Sequence, residues 1–254
     1  MVKSDVNTRR DFVRWSAVLG TGLFLSSCVN GERSKAGQNS EKQKSPQSEA
    51  SEKGGEVTAT EDLMREHGVL RRALLVYSES AAKLRSDPSA VPPEALHRTA
   101  ELFRTFGEEY HEKKLEEAYI FPAVKRAGGP AASYPDILVA QHQRGNEITD
   151  YILAVTRGTK LGAASAESLA QAMETLVLMY RNHAAREDTI VFPAWKQALS
   201  AKQLDEMGDK FEEIERQQFG QDGFENAVRQ IGEIETGLGL ADLAQFTAPP
   251  PPKP

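Results

Sequence analysis

The chain has little of what staples or stiffens a small fold. Its single cysteine among 254 residues, Cys28, cannot close an intramolecular disulfide, so no cystine framework holds it together. Aromatic residues make up only 7% of it, and no stretch alternates β-branched with polar residues long enough to suggest a sheet. Positive charge is not in excess either. The 31 Lys and Arg stand against 37 Asp and Glu and are interspersed rather than gathered into a basic stripe, which argues against nucleic acid as a partner. The apolar run from Trp15 to Leu25 is too short for the roughly 20 residues that a membrane-spanning helix needs.

That run fits a different purpose. Thr8-Arg9-Arg10-Asp11-Phe12-Val13-Arg14 precedes it and Leu25-Ser26-Ser27-Cys28 closes it, so charge, apolar run and small residues arrive in the order of an export signal. The adjacent arginines resemble a twin-arginine signal. The close resembles the lipobox at which a bacterial lipoprotein is cut and its new N-terminal cysteine lipidated. Residues 1–28 are therefore expected to export the protein, leaving it periplasmic or anchored to a membrane through lipidated Cys28. Residues 29–58, mostly Ser, Lys, Glu, Gln and Gly, bury too little to offset chain entropy and are expected to form a disordered linker. Residues 237–254 end in a run of prolines and are expected to form an extended, solvated tail.

Between these ends the spacing is helical throughout, so the fold class is all-α. A first helix is expected from about Thr60 to Arg85, with Leu63, His67, Leu70, Leu74, Tyr77 and Ala81 on one face. A second starts near Pro92-Pro93 and stops at Gly128-Gly129-Pro130, with Leu96, Ala100, Phe103, Gly107 and His111 facing inward. The third opens at Tyr134-Pro135, ends near Gly158 and carries Leu138, His142, Gly145, Thr149 and Ile152. In the fourth, from about Ser165 to Ala198, Leu169, Met173, Leu176, Tyr180, His183 and Glu187 keep an unbroken four-three rhythm. Ser200 with Gln203 and Asp222 with Glu225 read as capping boxes that open two shorter helices in an extension over 201–236.

Each of the four long helices thus brings one histidine to its inner face. A lone histidine there is usually a hydrogen-bonded core residue, but four together on one core are not. Glu187 shares the stripe of His183, and a buried carboxylate calls for a cation or a proton nearby. Imidazole and carboxylate converging in a helical bundle is the chemistry of non-haem iron. His97 lies 14 residues before His111, roughly 21 Å along a helix axis, so it is structural or exposed.

The segments from His111 through Glu116 and Glu117 to Phe121-Pro122, and from His183 through Glu187 and Asp188 to Phe192-Pro193, resemble the hemerythrin-like, HHE cation-binding proteins of bacteria. The resemblance covers about residues 60–200. It implies an antiparallel up-and-down four-helix bundle over 59–200 that holds a non-haem diiron centre, two irons with an oxo or hydroxo bridge. Histidines would cap each iron and two carboxylates would bridge them. The implied ligands are His67, His111 with a glutamate of the second helix, His142, and His183 with a carboxylate of the fourth. A small diatomic molecule or peroxide is the implied partner.

Two departures from the family pattern matter. The second helix of the family spaces His and Glu four apart, whereas Leu115 holds that position here and the glutamates follow at 116 and 117. Five residues turn a straight α-helix by about 140° rather than 40°, and a one-residue π-bulge between His111 and Glu116 would restore the alignment. Glu116 is the expected ligand, with Glu112 added to it or replacing it and Glu117 solvated. On the fourth helix Glu187 is preferred to Asp188 by its facing. The third helix has Asn146 where oxygen carriers place a second histidine, a pattern nearer to iron- and oxygen-sensing domains. Three readings stay open: a diiron domain that binds or reacts with O2, NO or peroxide, an iron-binding, sensing or storage module without turnover, and a metal-free membrane-tethered helical scaffold.

Overall fold

The structure, a computed structural model, describes residues 57–253. The expected export signal, Cys28 and nearly all of the linker lie outside the described residues. Helix α1 spans Ala59–Ser86. Helix α2, Pro93–Leu102, runs on as a π-helix, π1, over Phe103–Ile120 and then as α3, Phe121–Ala127. Helix α4 is Pro135–Val155. Helix α5, Ala163–Arg186, continues through π2, Glu187–Val191, into α6, Phe192–Gln197. Two further helices follow, α7 over Ala201–Phe219 and α8 over Gly223–Leu238. No strand occurs among the described residues, and none of their helices is long and apolar enough to cross a membrane.

The fold is an all-α antiparallel four-helix bundle with additional C-terminal helices. Helix α1 packs along α5, α5 along α4, and α4 along α2 and π1. The stripes read from the sequence supply the core: Leu63, Leu70, Leu74, Tyr77, Leu96, Phe103, Leu138, Ile152, Leu169 and Met173 are all buried in it. The extension covers the outside of the bundle, where Phe211 stacks on Trp195 at 5.7 Å between ring centroids and Phe219 meets Tyr110 edge-on at 5.2 Å. The Arg72 guanidinium joins α1 to α8 through Glu235, with Nε 2.9 Å from Oε1.

Local structure differs from expectation at four points, the first being the tail: only residues 247–253 are extended and exposed, whereas α8 runs to Leu238, Leu240 is buried and a 3-10 turn spans Leu243–Phe246. Helix α1 begins at Ala59, within a residue of the expected start, on a capping box in which the Glu61 amide donates to the Thr58 hydroxyl and the Thr58 amide to the Glu61 carboxylate. Ser200 and Gln203 do form a capping box at α7, but Asp222 does not form one at α8: it sits in the left-handed region at φ 61° with no side-chain cap. The second bundle helix is not an α-helix with one bulge, because the π form runs for 18 residues. The fourth widens too, over Glu187–Val191, where an unbroken α-helix was expected.

The side chains explain the long π segment. Phe106, His111, Glu116 and Phe121 follow one another at intervals of five, as do Tyr110, Leu115 and Ile120, and all seven are buried. A helix bonded from i to i+5 keeps such a series on one face, and an α-helix would spread it round the axis. The Phe121 amide accordingly donates to the Glu116 carbonyl and the Phe192 amide to that of Glu187. Pro122 and Pro193 follow directly. Having no N–H and a ring that crowds the preceding turn, each favours a widened turn before it.

Candidate metal centre

Four helices converge on one buried cluster. His67 comes from α1, His111 and Glu116 from π1, His142 from α4, His183 from the end of α5 and Glu187 from the start of π2. All six are at most 3% exposed, which puts the site inside the bundle, beyond the reach of bulk solvent.

The imidazoles meet in pairs. His67 Nε2 lies 3.0 Å from His111 Nε2, and His142 Nε2 lies 3.1 Å from His183 Nε2. Glu116 spans the pairs with Oε1 3.4 Å from His111 Nε2 and Oε2 3.4 Å from His142 Nε2. Glu187 does the same from the opposite side, with Oε2 3.5 Å from His67 Nε2 and Oε1 2.9 Å from His183 Nε2. Two half-sites result, each made of two imidazole nitrogens and one oxygen from each of two shared carboxylates.

Each ring is fixed from behind. His67 Nδ1 lies 2.7 Å from an oxygen of Asp188, His111 Nδ1 2.7 Å from Glu66, His142 Nδ1 2.8 Å from Glu117 and His183 Nδ1 2.9 Å from the Gln141 carbonyl oxygen. All four partners are acceptors, so Nδ1 donates in every case and Nε2 of the neutral ring presents a lone pair to the centre. Two lone pairs about 3 Å apart repel unless a proton or a metal cation lies between them. Phe192 stacks on His67 at 5.3 Å and Phe121 on His142 at 5.6 Å, so the aromatic residue of each Phe-Pro pair steadies an imidazole of a different helix.

The carboxylates make the same demand. None of the four side-chain oxygens of Glu116 and Glu187 accepts a hydrogen bond, although a buried carboxylate without partners is among the costliest arrangements in a protein. Burial by itself would lower the His111 and His142 pKa values, but facing carboxylates, chiefly Glu116 for His111 and Glu112 for His142, outweigh it and hold both well above the ordinary imidazole range. Burial would raise Glu116, and those two imidazoles hold it well below the usual carboxylate range. The carboxylates thus draw positive charge to the inner nitrogens, a place that protons or metal cations can fill. Glu116, His142, His183 and Glu187 offer ligand atoms within 4.8 Å of one another, as do His67, His111 and Glu116. A donor set of imidazole nitrogens and carboxylate oxygens, with Nε2 and the carboxylate oxygens turned inward, fits a transition-metal pair that would take the place of the inner protons.

Other candidate residues take up supporting positions. Glu112 is buried beside the cluster, where its Oε1 accepts the Tyr180 hydroxyl at 2.6 Å, and its Oε2 lies 3.9 Å from His142 Nδ1. Glu117 is a third exposed and, rather than being solvated, orients His142. Asp188 faces His67 Nδ1 from outside and also pairs with Arg71. The Asn146 carboxamide is engaged elsewhere, accepting from Arg104 at 2.6 Å and donating to the His142 carbonyl at 2.8 Å. His97 is half-buried on Thr156 Oγ1 at 3.0 Å, away from the cluster. Glu66, Gln141 and Tyr180 were not legible as site residues. The only signal for the first two is that each immediately precedes a histidine.

Comparison with known proteins agrees with the geometry. The hemerythrin HHE cation binding domain matches residues 58–195. Uncharacterized proteins of Mycobacterium tuberculosis and Mycobacterium bovis are 39% identical over 240 residues, covering 94% of this chain and 90% of theirs. No solved structure matches the chain significantly. With more than half its length matched and its buried histidines and glutamates gathered at one centre, the chain belongs to the family of hemerythrin HHE cation-binding proteins.

Proposed function

We propose that the protein is a non-haem diiron protein that binds or reacts with O2, NO or peroxide. One observation carries this reading: two imidazole pairs with inward Nε2 lone pairs, spanned by two carboxylates whose oxygens have no hydrogen bond. Iron held there would supply redox chemistry toward small oxidants. The protein's own contribution is to hold the imidazoles in one tautomer through their outer acceptors, to place Glu116 and Glu187 across both half-sites, and to keep water out with a bundle core.

A small cavity opens at the cluster itself. His67, His111, Glu116, His183 and Glu187 line it together with apolar Leu70, Leu74 and Ala184 and polar Glu112 and Tyr180, with room for about one water-sized species. A space this small, enclosed by imidazoles and carboxylates, suits an ion together with a small ligand such as a diatomic molecule. Iron content, the visible spectrum, and anaerobic addition of O2, NO and peroxide to the reduced protein test the reading. About two irons per chain and a spectral change with one of the three are expected, and a protein from iron-replete cells that contains no transition metal refutes it.

The second reading, an iron-binding or sensing module without turnover, is favoured by the same ligands and is the result if iron binds but none of the three molecules changes the spectrum. The N-terminal sequence supports export by a twin-arginine route and anchoring through Cys28. A centre assembled from four helices forms only on folding, which agrees with metal insertion before export of a folded protein. Fractionation of cells carrying Arg9→Lys with Arg10→Lys, or Cys28→Ser, checks this: the first retains the protein inside, the second releases it from the membrane, and unchanged membrane association in both refutes the signal.

A further inference from the structure

The centre is a near repeat of itself. His67 corresponds to His142, His111 to His183, Glu116 to Glu187 and Phe121 to Phe192, each pair taking the same position in its half-site. The outer acceptors correspond as well. Asp188 behind His67 answers to Glu117 behind His142, one carboxylate for another. Glu66 and Gln141, the residues just before His67 and His142, each reach the histidine of the neighbouring helix, His111 and His183. Here the repeat breaks, with a carboxylate at one position and a neutral carboxamide at the other.

We infer, on the diiron reading above, that this one difference makes the metal sites unequal: the His67–His111 half-site holds its ion more tightly and the His142–His183 half-site holds the exchangeable one. A carboxylate that accepts Nδ1–H makes the imidazole a stronger donor at Nε2, and a carboxamide does so much less. The surroundings enlarge the effect. Glu66 is 1% exposed and its second oxygen accepts the Tyr110 hydroxyl at 3.0 Å, while Tyr110 itself is enclosed by Phe106 and by Phe219 of α7. A charge–imidazole contact so enclosed is little screened by water. His142 is backed by Glu117, a third exposed, and by buried Glu112 3.9 Å from the same nitrogen, but Gln141 is neutral and only half-buried, so His183 has the weakest backing of the four rings. Arg71 draws on Asp188, which leaves Glu66 as the decisive residue.

The test is titration of the metal-free full-length protein with Co2+, followed by its visible absorption against a competing chelator. Two separated steps are expected. Glu66→Gln weakens the tighter step by about 10- to 100-fold and shifts its absorption band, leaving the weaker step in place. Gln141→Glu, at a half-buried position where a charge is tolerated, strengthens the weaker step and brings the two together. Tyr110→Phe moves the tighter step in the same direction as Glu66→Gln but less. Two cobalt ions bound with one affinity, or variants that move both steps alike or neither, overturn the inequality and leave the metal reading intact. No cobalt bound at all overturns the metal reading and the inference with it.

Discussion

Replacing both shared carboxylates, by Glu116→Gln with Glu187→Gln, separates a metal centre from a structural ion-pair cluster, because the two predict opposite signs. If the carboxylates are ligands, the native protein draws stability from bound metal by mass action. Two ions, each free at about a hundredfold over its Kd, contribute about 5 kcal/mol together. For a folded unit of this size one kcal/mol moves Tm by about 2–4 °C, so chelation should lower the wild-type Tm by roughly 10–20 °C. The double variant should show no such response. In chelator it should also melt no lower than the wild type, since Glu116 and Glu187 are buried with four oxygens lacking hydrogen bonds, an arrangement that costs stability, and His111, no longer facing the Glu116 charge that raises its pKa, is left neutral rather than as an unpaired buried cation. Far-UV circular dichroism melts of the two proteins, with iron and with chelator, read all four values. A double variant that is several kcal/mol less stable than the chelated wild type would mean that the carboxylates serve the imidazoles as structural partners, and the metal argument would fail.

Deleting Lys114 should place Glu116 four residues after His111 and convert the intervening π turns to α-helix; metal analysis should still find about two ions per chain, and loss of both would show that the wide helix positions more than Glu116. Gly145→Ala would place a Cβ 2.3 Å from the Tyr180 hydroxyl oxygen and 2.9 Å from its ring. The ring must shift and give up its bond to Glu112, at a cost of about 1–3 kcal/mol that outweighs the gain of up to about 1 kcal/mol in helix propensity. Denaturant melts in a Tyr180→Phe background should recover most of that loss, and equal losses in both backgrounds would place the strain elsewhere.

The bundle was legible because its signals are redundant. Leu63, Leu70, Leu74 and Tyr77 on α1, or Leu169, Met173 and Leu176 on α5, repeat one facing many times, and burial of all of them follows from a single helical period. The helix ends were legible where the backbone needs a particular partner, as at Ser200, and misread at Asp222, where the same residue types occur but Asp222 takes the left-handed conformation instead of capping. The widened turns were half legible. The spacing from His111 to Glu116 demands one, yet the period of five through Phe106, His111, Glu116 and Phe121, which extends it over 18 residues, is visible only when the polar ligands are counted together with the aromatics as one inward series.

The outer acceptors were not legible for a geometric reason. The histidines betray themselves by lying on apolar stripes, but Glu66 and Gln141 lie next to His67 and His142 in sequence, about 100° round a helix, where a polar residue is ordinarily a solvated flank. Their role exists only because the neighbouring helix brings His111 or His183 within 2.7 or 2.9 Å. The same holds for Asp188 and Glu117, which differ from the inward Glu187 and Glu116 by a single residue and face the backs of His67 and His142 instead of their fronts. Periodicity thus finds the residues that share a core, whereas the choice between adjacent carboxylates depends on the pitch of the helix that carries them. On α5 the pitch from His183 to Glu187 is still that of an α-helix, so the four-residue facing picks Glu187 correctly; in π1 the pitch departs from α, and only a widened turn brings Glu116 rather than Glu117 to the inner face.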